Sequence, residues 1–380
     1  MPFETMSSLP VPLSQSQCVT HKHEILICGG YDNGNCYSYH VLKDQYKHIC
    51  SYPKDVQLRG HCVVKRVSKS NENDITLLSF GGLYDKKHTL MLKYRSVWDE
   101  EDKELDIRND SGINQWMPFT DSANKPICIG KREDDLWGVR GVIGGSENHL
   151  LFISYPPHHI DVFDLNQACY INRAKIPVER YISIMGHCLV SKTTDENQLA
   201  DKKEDEMLLF CKNTGFSIRY EETCNRLHFY DVWVCRSLLA FHSYACVRID
   251  DMLLFFGGCS TTTRTQVLKE VYKYSLLENK WMQFERTLPA PLFHSSAVLS
   301  VDKTSLFIVG GESAKKAVVS TQLKTYVAEW MKQPTEKEKK WILKEMMANN
   351  IKKETTDIER TNKEIQMMKN SFKIQNLKVE

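Results

Sequence analysis

Six residues have the types and placement to do chemistry together: Gln17, His61, Arg140, His187, Tyr244 and Ser296. Each heads a short segment that runs through a small residue to aliphatic positions, as in Gln17-Cys18-Val19-Thr20 and Ser296-Ala297-Val298-Leu299. Brought to one point, they offer a guanidinium, two imidazoles, a phenol, an amide and a hydroxyl, a set suited to holding a polar ligand. The set is poor in acidic and thiolate groups, so a tight transition-metal site is not expected. Other chemical signatures are missing. The chain has no Gly-x-Gly-x-x-Gly, no P-loop, no Gly-x-Ser-x-Gly elbow and no His-Glu-x-x-His pair. His158-His159 after Pro156-Pro157, and His21 with His23, read as surface histidines of turns rather than metal ligands. No catalytic residue, metal or cofactor is expected.

The six residues act together only if the intervening elements bring the segment heads side by side. Those elements repeat. Ile25-Leu26-Ile27-Cys28-Gly29-Gly30, Leu77-Leu78-Ser79-Phe80-Gly81-Gly82, Leu253-Leu254-Phe255-Phe256-Gly257-Gly258 and Leu306-Phe307-Ile308-Val309-Gly310-Gly311 are buried strands, each ending in a glycine pair. The unit around Tyr244 is the most complete. It has an opening strand Tyr244–Val247, the glycine-terminated strand, an alternating Val271-Tyr272-Lys273-Tyr274, and Lys280-Trp281-Met282-Gln283-Phe284. Two further units lack the glycine pair: His149–Ile153 ends in Ser154-Tyr155-Pro156-Pro157, and Met207–Cys211 ends in Lys212-Asn213-Thr214-Gly215. Gly144-Gly145 lies before its strand and reads as a hairpin turn. Six opening strands predict six four-stranded units.

This order of small-residue opening strand, double glycine, Tyr-x-Tyr strand and tryptophan resembles the kelch motif, and its recurrence near every ~50 residues is the kelch spacing. The resemblance spans roughly residues 1 to 331. It implies an all-β, six-bladed kelch-type propeller with Gly29, Gly30, Gly81, Gly82, Gly257, Gly258, Gly310 and Gly311 as the structural glycines. Phe3–Leu13 parallels Phe284–Leu292 in its Leu-Pro and Pro-Leu steps, so the N-terminus is expected to supply the outer strand of the last blade and close the ring. So short a leader is expected to hold no signal peptide or preceding domain. In a propeller the opening strands line the central channel, so the six residues would ring its mouth. Kelch opening strands often carry a histidine bonded to neighbouring backbone, which is the expectation for His61 and His187. Arg140 and Tyr244 depart from that pattern and are the first binding candidates.

The resemblance implies a non-catalytic scaffold that recognises a protein partner through loops on one face. The chain is expected to lack the BTB or F-box domain that ties many kelch propellers to ubiquitin ligases, so that role has no direct support. A minority of kelch-like propellers are enzymes: copper radical oxidases, iron-dependent specifier proteins and sugar epimerases. The ligand sets of the first two find no place here. A small-ligand-binding or sugar-isomerising site at the channel mouth stays as the alternative.

A net charge of +2 argues against a nucleic-acid partner. No apolar run approaches the ~20 residues of a membrane span. The thirteen cysteines are odd in number, form no CxxC pair, and include Cys28, Cys62, Cys188, Cys211 and Cys246 within strands, where thiols act as small hydrophobes. This predicts reduced thiols and a cytoplasmic location. Asp99–Asn114 and Lys192–Glu206 read as solvated loops. Residues 332–380 form a second region, rich in Lys and Glu. Thr335-x-x-Glu338 and Thr356-x-x-Glu359 are capping boxes that predict two helical stretches, the first running toward Asn349-Asn350. Ile351, Ile358, Ile365 and Phe372 recur every seventh residue, but Glu354, Thr361, Met368 and Gln375 spoil the second seam position. A single or loosely self-associating helix is therefore expected, as a second contact or, in a further reading, as the functional part itself.

Overall fold

A computed structural model describes residues 2–67, 75–99, 112–178, 183–192, 204–260 and 266–376. It is a six-bladed β-propeller with a C-terminal helix. Blade 1 is Gln17–His21, Glu24–Gly30, Asn33–His40 and Gln45–Ser51, hydrogen-bonded in that order from the innermost strand outward. The innermost strands of blades 2 to 6 are Cys62–Val67, Arg140–Gly144, Cys188–Ser191, Ala245–Ile249 and Ser296–Leu299. Blade 6 takes its outer strand, Glu4–Thr5, from the N-terminus, paired antiparallel with Gln322–Tyr326. Phe3 packs there against Trp330, which is fully buried. Gly145 opens the turn between the first two strands of blade 3, whereas Gly144 ends the first strand, paired with Leu150.

The core is six layers, each shared by two neighbouring blades. Leu253 and Phe255 pack toward blade 4, whereas Leu254 and Phe256, on the other face of the same strand, pack toward blade 6. Ile25 and Ile27 likewise join the layer with blade 6, and Leu26 the layer with blade 2. Successive strand residues point to opposite faces, and both faces of a blade are covered. This is why the second strands are continuously apolar rather than alternating.

The glycine pairs of blades 5 and 6 stitch each blade to the next. The Gly258 N–H donates to the Leu292 carbonyl ahead of blade 6 (2.9 Å), and the Gly311 N–H to the Leu13 carbonyl ahead of blade 1 (2.8 Å). At Gly257 (φ +66°) an added Cβ would lie 2.1 Å from the Leu292 oxygen, so only glycine admits this approach.

The tail is one helix, Glu336–Asn376, rather than two stretches. Its start is the expected capping box: the Glu338 N–H donates to Thr335 Oγ1, and the Thr335 N–H to Glu338 Oε2. Thr356 does not cap. Its hydroxyl donates to the Lys352 carbonyl one turn back, because no Gly or Pro between 336 and 376 interrupts the helix. The first turns dock on blade 5. The Glu285 N–H of the outer strand Lys280–Thr287 donates to Glu338 Oε1, Glu345 accepts the Arg236 N–H at 2.8 Å, and Trp341 meets Tyr272. Ile351, Ile358 and Ile365 are exposed beyond the dock. Among the described residues no helix is long and apolar enough to cross a membrane. Most of both predicted loops, 100–111 and 193–203, lies outside the described residues. All thirteen cysteines are free thiols.

Candidate functional site

Immediately before each innermost strand the backbone turns through a left-handed residue: Gln15, Gly60, Gly138, Gly186, Ser243 and His294, all with φ between 54° and 72°. These six positions circle one end of the channel. The Gln15 N–H donates to the His294 carbonyl, the His294 N–H to that of Ser243, and the Ser243 N–H to that of Gly186, each at 2.9 Å. Three blades meet this conformation with glycine. The other three place Gln15, Ser243 and His294 there, at a cost of roughly 1 kcal/mol each. Side-chain-bearing residues held in this region cluster at functional sites.

Inside the ring lies a cavity of about 290 Å³. Blades 5 and 6 shape its wall by folding the segment ahead of each blade onto the loop after its second strand, pairing Phe241–His242 with Cys259–Ser260 and Leu292–Phe293 with Glu312–Ser313. His242 thereby meets Cys259, with Nε2 3.8 Å from Sγ. His294 Nδ1 lies 3.0 Å from Glu312 Oε1. Burial, the largest single influence, works against the Glu312 carboxylate, but His294, Ser14 and Lys316 together outweigh it and hold the group below its ordinary range. Trp137, 37% exposed, forms part of the lip. Gln15 Oε1, Ser16 Oγ and Ser295 Oγ are buried around the cavity without a hydrogen-bond partner, although Ser16 is only 1% and Ser295 only 8% exposed.

Of the six residues singled out from sequence, Gln17, Arg140, Tyr244 and Ser296 line this cavity, and His61 and His187 do not. The six occupy two register positions rather than one ring. Gln17, Arg140 and Ser296 are the first residues of their strands, where the other blades carry Cys62, Cys188 and Ala245. His61, His187 and Tyr244 stand one residue earlier, and that step turns them to the opposite face, toward the preceding blade. His61 Nε2 is 2.9 Å from the Cys28 carbonyl, His187 Nε2 meets Ser154 Oγ at 2.5 Å, and the Tyr244 hydroxyl donates to the Phe210 carbonyl at 2.7 Å. These three pin adjacent blades. Burial lowers His61 to about 3 and His187 well below its ordinary value, so both imidazoles are neutral. Burial also holds the Tyr244 phenol well above its usual range. Arg140 Nη1 donates to the carbonyl of Val139, the residue just ahead of its strand, at 2.8 Å.

The expected surface position fails for His21, which is 6% exposed beside Tyr94. The residues that sequence reasoning missed are the left-handed ones, with Trp137 and Glu312. Gly60, Gly138 and Gly186 carried a signal for the first group, each falling one or two residues ahead of an opening strand. Among the described residues no group of three or more His, Cys, Asp or Glu side chains is placed to hold a metal ion. The mouth can bind a polar group through hydroxyls, amides and a guanidinium.

No protein-family model and no curated protein matches the chain. The solved structure of YjhT is similar to it, with a TM-score of 0.55 over 83% of this chain and 95% of that one, at 11% identity. Likeness at that identity defines the class alone: a six-bladed β-propeller.

Proposed function

We propose that this chain is a kelch-type propeller acting as a non-catalytic recognition module, which engages a protein partner through the face that carries the mouth cavity. The observation that carries the reading is the exposed Trp137 beside Arg140 on a cavity whose Gln15 Oε1, Ser16 Oγ and Ser295 Oγ have no partner. A polar side chain of the partner completes such a site, with the aromatic and arginine side chains as anchors. Tyr31 and Tyr84, in the loops after the second strands of blades 1 and 2, are exposed on the same face, and the Arg59 guanidinium lies 5.9 Å from the Tyr31 ring. The free part of the helix, with Ile351, Ile358 and Ile365, is a second contact or weak self-association element. Thirteen free thiols suit a cytoplasmic setting.

The test is affinity capture from the protein's own cells with the full chain and with a Trp137→Ala/Arg140→Ala variant. The variant should lose a stoichiometric partner while keeping its melting temperature. Loss of an anchor worth ~2 kcal/mol weakens binding roughly 30-fold. Undiminished binding by the variant, with loss on removing residues beyond Asn350, would transfer the function to the helix. The same unpartnered oxygens favour a second reading, a small polar ligand or a sugar isomerised in the cavity. In that case a metabolite, not a protein, is retained by the full chain and lost from the variant.

A further inference from the structure

The innermost strands of blades 4 and 5, Cys188–Ser191 and Ala245–Ile249, approach each other less closely than those of any other neighbouring pair of blades. Tyr244 reaches across this junction to the Phe210 carbonyl, and its ring packs edge-on to Phe255. Two thiols meet in the same gap. Cys188 points forward from blade 4, Cys246 points back from blade 5, and their sulfurs are 2.7 Å apart. Cys188 is 4% exposed and Cys246 is partly exposed. Both sit at the channel end of their layer, with Cys246 two residues from the cavity-lining Tyr244.

We propose that Cys188 and Cys246 are a modification site, an oxidisable pair that hydrogen peroxide entering by the channel converts to an intrachain disulfide stapling blade 4 to blade 5. One sulfur, as thiolate, attacks the peroxide oxygen, forming a sulfenic acid and releasing hydroxide, which takes up the thiol's proton as water. The second thiol then attacks that sulfur and expels a second water. Two thiols lose two electrons and two protons, and one peroxide is reduced to two waters. Burial, with the Cys188 contact second, holds the Cys246 thiol well above the ordinary range. Oxidation is therefore slow at neutral pH and accelerates as pH rises. The bond closes a loop between positions 58 residues apart and links the neighbouring innermost strands that approach each other least closely.

The experiment treats the full chain with hydrogen peroxide at neutral and alkaline pH, blocks remaining thiols by alkylation, and maps peptides without reduction. The expected product is a Cys188–Cys246 linked peptide, lighter by two hydrogen atoms and formed faster at alkaline pH. The oxidised chain should melt roughly 5 °C or more above the reduced one, a gain absent from Cys246→Ala. If Cys246→Ala does not fold, Cys188→Ala serves the same comparison. Both cysteines still open to alkylation after treatment would overturn the proposal. So would linkage of either to a different cysteine, or oxidation of the Cys28, Cys36 and Cys50 strand neighbours while this pair stays reduced.

Discussion

Replacing Gly257 by alanine tests the blade-to-blade stitch directly. Gly257 has φ +66°, where an L side chain costs ~1–2 kcal/mol. The new Cβ would stand 2.1 Å from the Leu292 oxygen and 3.2 Å from that of Leu268, both backbone atoms that cannot swing aside. The segment ahead of blade 6 has to move, which breaks the 2.9 Å bond from the Gly258 N–H. An unpaired buried amide costs a further ~1–3 kcal/mol. Alanine recovers ~0.5–1 kcal/mol through the less flexible unfolded chain. The net loss is roughly 2–4 kcal/mol. Urea unfolding followed by tryptophan fluorescence reads it, since Trp281 and Trp330 lie in the layers on either side of blade 5. Gly112→Ala is the control, with positive φ but no atom within 4 Å of its Cβ. A Gly257→Ala midpoint no lower than that of the control would refute the reasoning, because strain alone would then explain the effect.

Two further outcomes follow from the buried polar groups. His61 is lowered to about 3 and His88 to about 4, in both cases by burial, against an ordinary 6.5. The unfolded chain therefore binds these protons more tightly, and stability present above pH 6.5 is lost as pH falls toward those values. By pH 5 each histidine costs roughly 2 kcal/mol. Urea midpoints across that range should slope accordingly, and His61→Gln should remove about half of the slope due to this pair. An unchanged slope would show that His61 does not carry it. Glu345→Ala leaves the Arg236 N–H unpaired at the helix dock, a loss of ~1–3 kcal/mol. It should expose the junction near Met346 to limited proteolysis, whereas a digestion pattern like that of the unaltered chain would mean the dock does not depend on this bond.

How much could be read in advance depended on the range of the forces involved. The strands were legible because burial on both faces leaves a local mark, the continuous apolar runs at Ile25–Cys28, Leu253–Phe256 and Leu306–Val309. The blade count and the closure by Glu4–Thr5 followed from repetition of that mark and from the Leu-Pro and Pro-Leu steps near both ends. The first helix cap at Thr335 and Glu338 was equally local, a two-bond exchange within four residues. Thr356 and Glu359 have the same spelling but sit inside an unbroken helix, where Thr356 turns to Lys352 instead.

The site was only half legible. Of the residues picked out at the strand heads, Gln17, Arg140, Tyr244 and Ser296 line the mouth cavity. Their direction was not in the sequence, because a one-residue difference in register sends a side chain to the opposite face of a strand. His61 and His187, expected to bond neighbouring backbone, pin adjacent blades, His61 on the Cys28 carbonyl and His187 on the Ser154 hydroxyl instead. The sequence by itself determined the repeated strands, the glycine stitches and the helix start, all set by burial and backbone geometry within a few residues. Only closure of the ring decided that Gln15, Ser16, Ser243, His294 and Ser295, from three parts of the chain, would share one cavity. It also decided that Cys188 and Cys246 would touch, since contacts between blades depend on the curvature of the whole ring.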